Sequence, residues 1–517
     1  TGTIARYTFI PLSHSPAVGL PDVEFTISTK SPESCACDAL VLGVFADRAP
    51  LEGAASKVDR ALGGLLSSVL AEEHFKGKPG HTFVLHTHGK VPAKRIIVAG
   101  LGPKADVHLE QLRMAAAAGV RRAADARAKH VVFPAVSLPP HRADAVTQAR
   151  VEGIVLGSYR FSRYKPQDDA AAVERVELLA GDASHQKDVE EGLRRGLLFA
   201  EATTYARDLV NEPPNQMNPL LLAELAEEAA RTAGLRCSVL DVDAMRAQGM
   251  GAILSIGGGS AVPPRLIVLE YAPSKPKRTV AIVGKGVTFD SGGINLKTSS
   301  LEWMKSDMAG GAAVIATMQA LPALKSPARV LGVVAAVENL PSGTSVKPGD
   351  IVRAMNGKTI EINNTDAEGR VVLADALAYA AQRNPDEIID LATLTGSAMI
   401  ALGYLAAAVM SNNQRLVDRL IDAADRAGER MWQLPLYEEY LEKMRSPVAD
   451  LQNSGGRYGG AQKGAAFLRE FVDGKPWAHI DIAPTAFLET DEGTGPYLHK
   501  GGTGYGVRTL LTYLSGA

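Results

Sequence analysis

The chain has 517 residues, 46% hydrophobic and 22% charged, a length at which a single core gives way to two domains. Its 55 basic and 57 acidic residues leave a formal net charge of −2, so no global field draws it to nucleic acid or to an anionic membrane. Three cysteines, Cys35, Cys37 and Cys237, are too few for a disulfide framework and predict a reducing, cytoplasmic setting.

The first twenty residues hold prolines and no compact apolar core of the signal-peptide kind. Beyond them, short apolar strands in "DALVLGVFA", "TFVLHTHG", "RIIVAGLG" and "HVVFPAV" alternate with helices such as "LEQLRMAAAAGVRRAADARA". This alternation predicts an α/β domain over residues 1–184. Cys35-Ala-Cys37 lacks the second pair that a tetrahedral site needs, and His86-Thr87-His88 reads as a strand with alternating faces. After "VELLAGD" a long helical pattern runs into "NEPPNQMNP", where Pro213, Pro214 and Pro219 cannot continue it. Residues 185–215 are read as a linker helix with a proline-rich break, and 216–517 as the second domain.

That second domain again alternates strand and helix: "RTVAIVGKGVTF", "AGGAAVIATMQAL", "ARVLGVVAAV", "GRVVLADALAYAAQ" and "DEIIDLATL". A mostly parallel, helix-covered central sheet is expected. Asn356-Gly357 predicts a two-residue hairpin turn. Residues 391–414 are uncharged and long enough to span a bilayer, but Gly396, Ser397 and Gly403 punctuate them. They read as a buried strand leading into a helix.

None of the eleven histidines falls between His185 and His479, so a metal in the second domain has to be held mainly by carboxylates. Asp290 in "GKGVTFDSGG", Asp307 in "KSDMAGG", and Asp366 with Glu368 in "NNTDAEGR" sit where strand ends meet helix starts, which in an α/β sheet converge on one crevice. Each has a plainer reading. Asp307 suits a helix N-cap, Asp290 a turn, and Asp366 and Glu368 the positive end of a helix with Arg370 as surface ion partner. Four carboxylates in one crevice need cations to neutralise them. Two divalent ions roughly 3.5–4 Å apart would do so, and would activate a water and polarise a carbonyl. Lys285 and Lys297 lie in the same segments. An ammonium beside divalent cations is repelled, and a neutral lysine binds metal.

"RDLVNEPPN", "VGKGVTFDSGG", "ENLPSGTSVKPGDI", "NTDAEGR", "DLATLTGS", "WAHIDIAPTA" and "GGTGYGVRTL" occur in this order over residues 205–511. Together they resemble the leucyl aminopeptidase, or cytosol aminopeptidase, family. The first domain is similar only in general pattern, best at "VAGLG". The resemblance implies a macro-like α/β N-terminal domain and a catalytic α/β domain. It implies two metal ions, manganese or zinc, or else cobalt or magnesium, held by Lys285, Asp290, Asp307, Asp366 and Glu368. Asp290 and Glu368 would bridge the ions, and the water they activate would attack the peptide carbonyl, which Lys297 polarises.

By the same resemblance Arg370 holds a bicarbonate ion as general base, and Met304, Asn364, Thr393, Leu394 and Gly396 line a leucine-favouring first-residue pocket. The implied partners are peptides with a free N-terminus and five further copies in a homohexamer, with neither nucleic acid nor membrane. Three departures bear on pocket shape: Ala309 replaces the glycine after "DM", the spacing from Lys297 to Asp307 is one residue short, and Lys463 replaces a small or polar residue. A two-metal phosphoesterase and a catalytically inactive binding protein are the competing readings.

Overall fold

A computed structural model describes residues 5–8, 23–46, 50–165, 173–491 and 495–516. The prolines near the start of the chain lie outside these described residues. Contacts divide the chain into two compact units, Thr1–Glu201 with Asp491–His499, and Ala202–Thr490 with Lys500–Ala517. The division falls inside the helix Gln186–Asn211, upstream of the proline-rich break.

The first unit carries a mixed seven-stranded sheet. Its strands are β1 (Ala5–Thr8), β2 (Glu24–Ser28), β3 (Ala39–Phe45), β4 (Thr82–His86), β5 (Arg95–Gly102), β6 (His130–Phe133) and β7 (Arg175–Leu179), in the order β1-β2-β7-β6-β3-β5-β4. Only the outer strands β1 and β4 pair antiparallel. Alternation along the inner strands feeds two cores. Ala39, Val41, Ile97 and Ala99 pack with the helices Leu109–Asp125 and Ala143–Ser158, while Leu40, Leu42, Ile96 and Val98 pack with Val58, Leu62 and Leu66. A sheet buried on both faces explains why these strands read as continuous apolar runs. Cys35 and Cys37 are free thiols in the second core, with pKa values pushed by burial up to about 11 and about 12.

The second unit is built on an eight-stranded sheet. Its strands are β8 (Arg236–Leu240), β9 (Arg265–Tyr271), β10 (Thr279–Asp290), β11 (Arg329–Asn339), β14 (Glu387–Ala392), β15 (Ala407–Ser411), β16 (Met431–Gln433) and β18 (Trp477–Asp481). The short strands β12 (Ile351–Arg353), β13 (Thr359–Glu361) and β17 (Leu451–Gln452) form a small separate sheet. The large sheet runs β16-β15-β18-β14-β10-β11-β9-β8. Its centre, β11-β10-β14-β18, is parallel, whereas β8-β9, β9-β11 and β15-β18 pair antiparallel, so the sheet is mixed.

The helix Ala309–Leu324 is buried along nearly its whole length. It lies so close to β10 that a Cβ on Gly284 would come within 2.6 Å of the Gly310 carbonyl. The helix Glu368–Ala381 contributes to the core shared with Ala281, Val283 and Val287 of β10.

Two expectations change in detail. The β12–β13 hairpin forms, but Gly357 N–H donates to Ala354 O and Ala354 N–H to Lys358 O, leaving residues 355–357 as a three-residue loop. Gly357 takes φ +89°, so the glycine serves as the left-handed closing residue of a turn plus bulge instead of the second residue of a tighter turn. The uncharged stretch 391–414 begins in buried β14, passes through the short helix Gly396–Leu402 and continues into β15. No helix among the described residues is long and apolar enough to cross a membrane.

Candidate metal centre

β10 leads on to β11 on one side, and β14 leads on towards β15 and β18 on the other. The carboxyl ends of β10 and β14 therefore flank a point where the chain connections diverge, which is where open α/β sheets bind ligands. Lys285 and Asp290 both lie on β10, five residues apart. Strict alternation would send them to opposite faces. The register with β11 slips between Val287 and Phe289, and this irregularity brings both side chains into one cluster.

The cluster is closely bonded. Lys285 Nζ lies 2.7 Å from Asp307 Oδ1 and 2.8 Å from Glu368 Oε1, and donates to the Thr393 carbonyl at 3.1 Å. Lys297 Nζ lies 2.8 Å from Asp290 Oδ2 and 2.5 Å from Asp366 Oδ1. Thr393 Oγ1 donates to Asp307 Oδ1 at 2.8 Å. Gly292, at φ +88°, makes the turn that returns Lys297 to Asp290. A Cβ there would meet the Asn295 carbonyl at 2.4 Å and Asp366 Oδ1 at 2.9 Å. A Cβ on Gly369 would likewise strike Lys285 Nζ at 2.5 Å, so glycine permits the close approach that the cluster requires.

The plainer readings hold only in part: Asp290 does shape a turn, accepting the Gly292 N–H at 2.9 Å, but Asp307 is not a helix cap and Arg370 is not a surface partner. Met308, not Asp307, occupies the N-cap of the helix Ala309–Leu324. Glu368 is the first residue of its helix, at the positive end as the plainer reading has it, but at 2% exposed it is no surface group. Arg370 is 9% exposed, which rules out a surface ion pair.

Burial and the neighbouring Glu368 raise the Asp290 pKa to about 6 against the pull of Lys297 and Lys285. Burial also raises Asp307 and Asp366. It opposes ionisation of Glu368 too, but Lys285 and Lys297 outweigh it and hold that pKa below the ordinary glutamate value. Burial works against charge on both lysines, yet the carboxylates outweigh it and hold each above the ordinary lysine value. In this arrangement the carboxylates favour the charged form of Lys285.

Three observations test whether the residues suit metal. Oxygens of Asp290, Asp366 and Glu368 lie within 4.8 Å of one another. Asp307 Oδ2 is buried with no hydrogen-bond partner, a lone pair left for a cation. The two lysines offset only half the charge of four carboxylates. The donor set fits hard or borderline divalent ions.

The residues expected to surround substrate lie on segments that also carry, or directly follow, parts of this cluster. Thr393 and Leu394 follow β14, and Leu394 N–H donates to Asp481 Oδ1 at 3.1 Å. Asn364 Oδ1 accepts the Asp366 N–H at 3.0 Å. Met304 belongs to the 3-10 helix Leu301–Met308 that carries Asp307. Gly396 is exposed, and a Cβ placed on it would meet nothing within 4 Å. Arg370 is buried with Nε lacking a partner, and burial lowers its pKa while Glu368 and Asp481 raise it. Lys463 donates to the Gly455 and Gly456 carbonyls at 2.6 and 2.7 Å, so its side chain is spent clamping a loop.

Supporting residues were not singled out from sequence. Asn339 Nδ2 donates to Asp290 Oδ1 at 2.8 Å and to the Thr365 carbonyl at 3.0 Å. Asp481 accepts from Leu394 and Thr395, and Asn453 Oδ1 accepts from the Asn363 and Asn364 N–H groups. The available signal was their place inside "ENLPSG", "WAHIDIAPTA" and "DLQNSGG".

Fold and site define the class as a two-domain α/β metallohydrolase. The model of the cytosol aminopeptidase family catalytic domain matches residues 204–511, and that of the family's N-terminal domain matches 41–168. The chain belongs to the cytosol aminopeptidase family. It is 43% identical to a "Probable cytosol aminopeptidase" of Alkaliphilus oremlandii (strain OhILAs), covering 92% of this chain and 95% of that protein. It is 44% identical to another so described from Geobacter sp. (strain M21), covering 94% and 99%. Among solved structures it resembles a mutant tomato leucine aminopeptidase, at TM-score 0.87 and 34% identity over 96% of this chain and 97% of that one. It also resembles the bottromycin maturation enzyme BotP in complex with Mn, at TM-score 0.82 and 37% identity over 93% and 99%. The protein is accordingly an aminopeptidase, a hydrolase of a metal-dependent family.

Proposed function

We propose that this aminopeptidase removes leucine-like N-terminal residues from peptides, using two divalent ions held by Lys285, Asp290, Asp307, Asp366 and Glu368. The observation that carries this reading is the convergence of four carboxylates and two lysines at the carboxyl ends of β10 and β14. When bound, the ions would supply Lewis acidity to the scissile carbonyl and a nucleophilic water at neutral pH. Manganese and zinc both suit the donor set, and the manganese in a related enzyme supports the first. As a metal ligand Lys285 would give up the proton it holds between Asp307 and Glu368.

Lys297 supplies a fixed positive charge to the carbonyl oxygen as it becomes an oxyanion, the task for which a preorganised cation is most effective. Arg370 holds bicarbonate, which acts as general base. Its buried guanidinium and unpartnered Nε suit a small planar anion. Met304, Asn364, Thr393, Leu394 and Gly396 receive the first side chain, and the free amine anchors the substrate. We further assign residues 185–215 as linker, and a homohexamer in the cytoplasm as the working form.

The test is leucine release from a leucyl peptide and from its N-acetylated twin, before and after chelation and manganese add-back. Cleavage of the free peptide alone, lost on chelation and restored by metal, supports the reading. Equal cleavage of the acetylated peptide, or activity that survives chelation, overturns it.

A further inference from the structure

The first unit holds a cavity of about 740 Å³, within the size range of small-molecule sites. It opens beside the carboxyl ends of β3 and β6, where Gly43, Phe45 and Phe133 lie. β3 leads on through β4 to β5 on one side, while β6 leads on to β7 on the other. The cavity therefore sits at this sheet's own switch point. A second cavity of about 680 Å³ shares Gly53, Ala54, His141 and Arg150 with the first.

Arg150 lies in the wall common to both. It is 7% exposed, and burial alone lowers its pKa, to about 10. Its guanidinium stands 5.8 Å from the Phe133 ring centroid, and no hydrogen bond or ion pair engages it among the described residues. Among the described residues, the acids lining the two cavities are committed elsewhere: Glu52 to Lys104, Asp182 to Ser184 and His185, and Asp188 to Arg142. A buried guanidinium without a counter-charge is unfavourable in a folded protein, and its fork of donors matches a carboxylate or phosphate. The rest of the wall, including Val41, Leu101 and Leu112, suits an apolar body.

We infer that the first unit binds a small organic anion, a phosphate ester or carboxylic acid with an apolar or aromatic body, whose charged end pairs with Arg150. The site belongs to the first unit alone and does not depend on the proposed peptidase chemistry.

Calorimetric titration of the full-length chain with phenyl phosphate, phenylacetate and phenol tests this. At least one aromatic anion binds the wild type, and phenol, which has the body without the charge, binds at least about tenfold more weakly. Arg150→Met lowers anion affinity by at least about tenfold while leucine release is unchanged, which separates this site from the peptidase site. Ala54→Phe, which fills the shared wall and keeps the arginine, also abolishes binding and covers a misfolded Arg150 variant. Either anion supports the proposal, and the tighter one names the ligand class. Absence of binding by both anions, or equal affinity in wild type and both variants, overturns it.

Discussion

Lys285 Nζ and Glu368 Oε1 meet at 2.8 Å, one from the middle of a buried strand and the other from the first residue of a helix. Both side chains are at most 3% exposed. An ion pair this deep is weak as a stabilising device, since desolvation offsets most of its attraction. On the proposed reading, it holds opposed groups ready for a cation to come between them.

Asp366 is the most exposed of the four acids, its side chain 34% accessible. Asp366→Ala should therefore retain the fold and melting temperature. It should reduce leucine release well beyond the roughly 10–100-fold that loss of an outer support costs a metal site. Circular dichroism alongside steady-state assay checks this, and a fully active variant would refute the ligand assignment.

Lys297 has a different expected signature. Lys297→Ala should lower kcat by about 100- to 1,000-fold, the size of effect seen when one oxyanion donor is lost, with smaller change in metal content. Metal analysis by mass spectrometry beside the kinetics separates the two. Loss of metal in proportion to activity would make Lys297 a structural partner of Asp290 and Asp366 instead.

Asn339 donates to the Asp290 oxygen that also accepts the Gly292 N–H. Asn339→Ala should weaken metal affinity or activity by about 10–100-fold, with Asp290 still present. Retention of affinity under competition by a chelator would contradict this supporting role.

Asp375 gives a pH prediction away from the site. It is fully buried and accepts the Ile253 and Met355 N–H groups at 2.9 and 2.7 Å. Burial raises its pKa to about 7 against those hydrogen bonds. The folded state then binds the proton more tightly than the unfolded chain. This contribution is fully present below about pH 4 and is lost as pH rises through about 7, an upper bound of about 4 kcal/mol. Asp375→Asn should be less stable, because its amide leaves one buried donor unmatched at about 1–3 kcal/mol. Its deficit should shrink between about pH 5 and about pH 7. Denaturant melts across that range measure it, and a pH-independent difference would be evidence against the titration.

That the four acids would cluster was legible because chemistry limits the choice: a second domain with no histidine before His479 leaves carboxylates in glycine-rich strand ends. The face shared by Lys285 and Asp290 was not legible, since it depends on a slip in strand register that spacing cannot reveal. Asn356-Gly357 marked the hairpin correctly but not its loop length, because one left-handed glycine serves either turn. Asn339 and Asp481 were not legible, because folding brings their partners across from distant segments. Arg150 lay in a helical pattern where an arginine is expected to face water, and only tertiary packing places it against Phe133.

The most direct measurement is anomalous diffraction at the manganese edge from crystals of the manganese-loaded protein. Two peaks per chain are expected, one among Lys285, Asp290, Asp307 and Glu368 and one among Asp290, Asp366 and Glu368. Full manganese loading with no peak among these five residues would contradict the account.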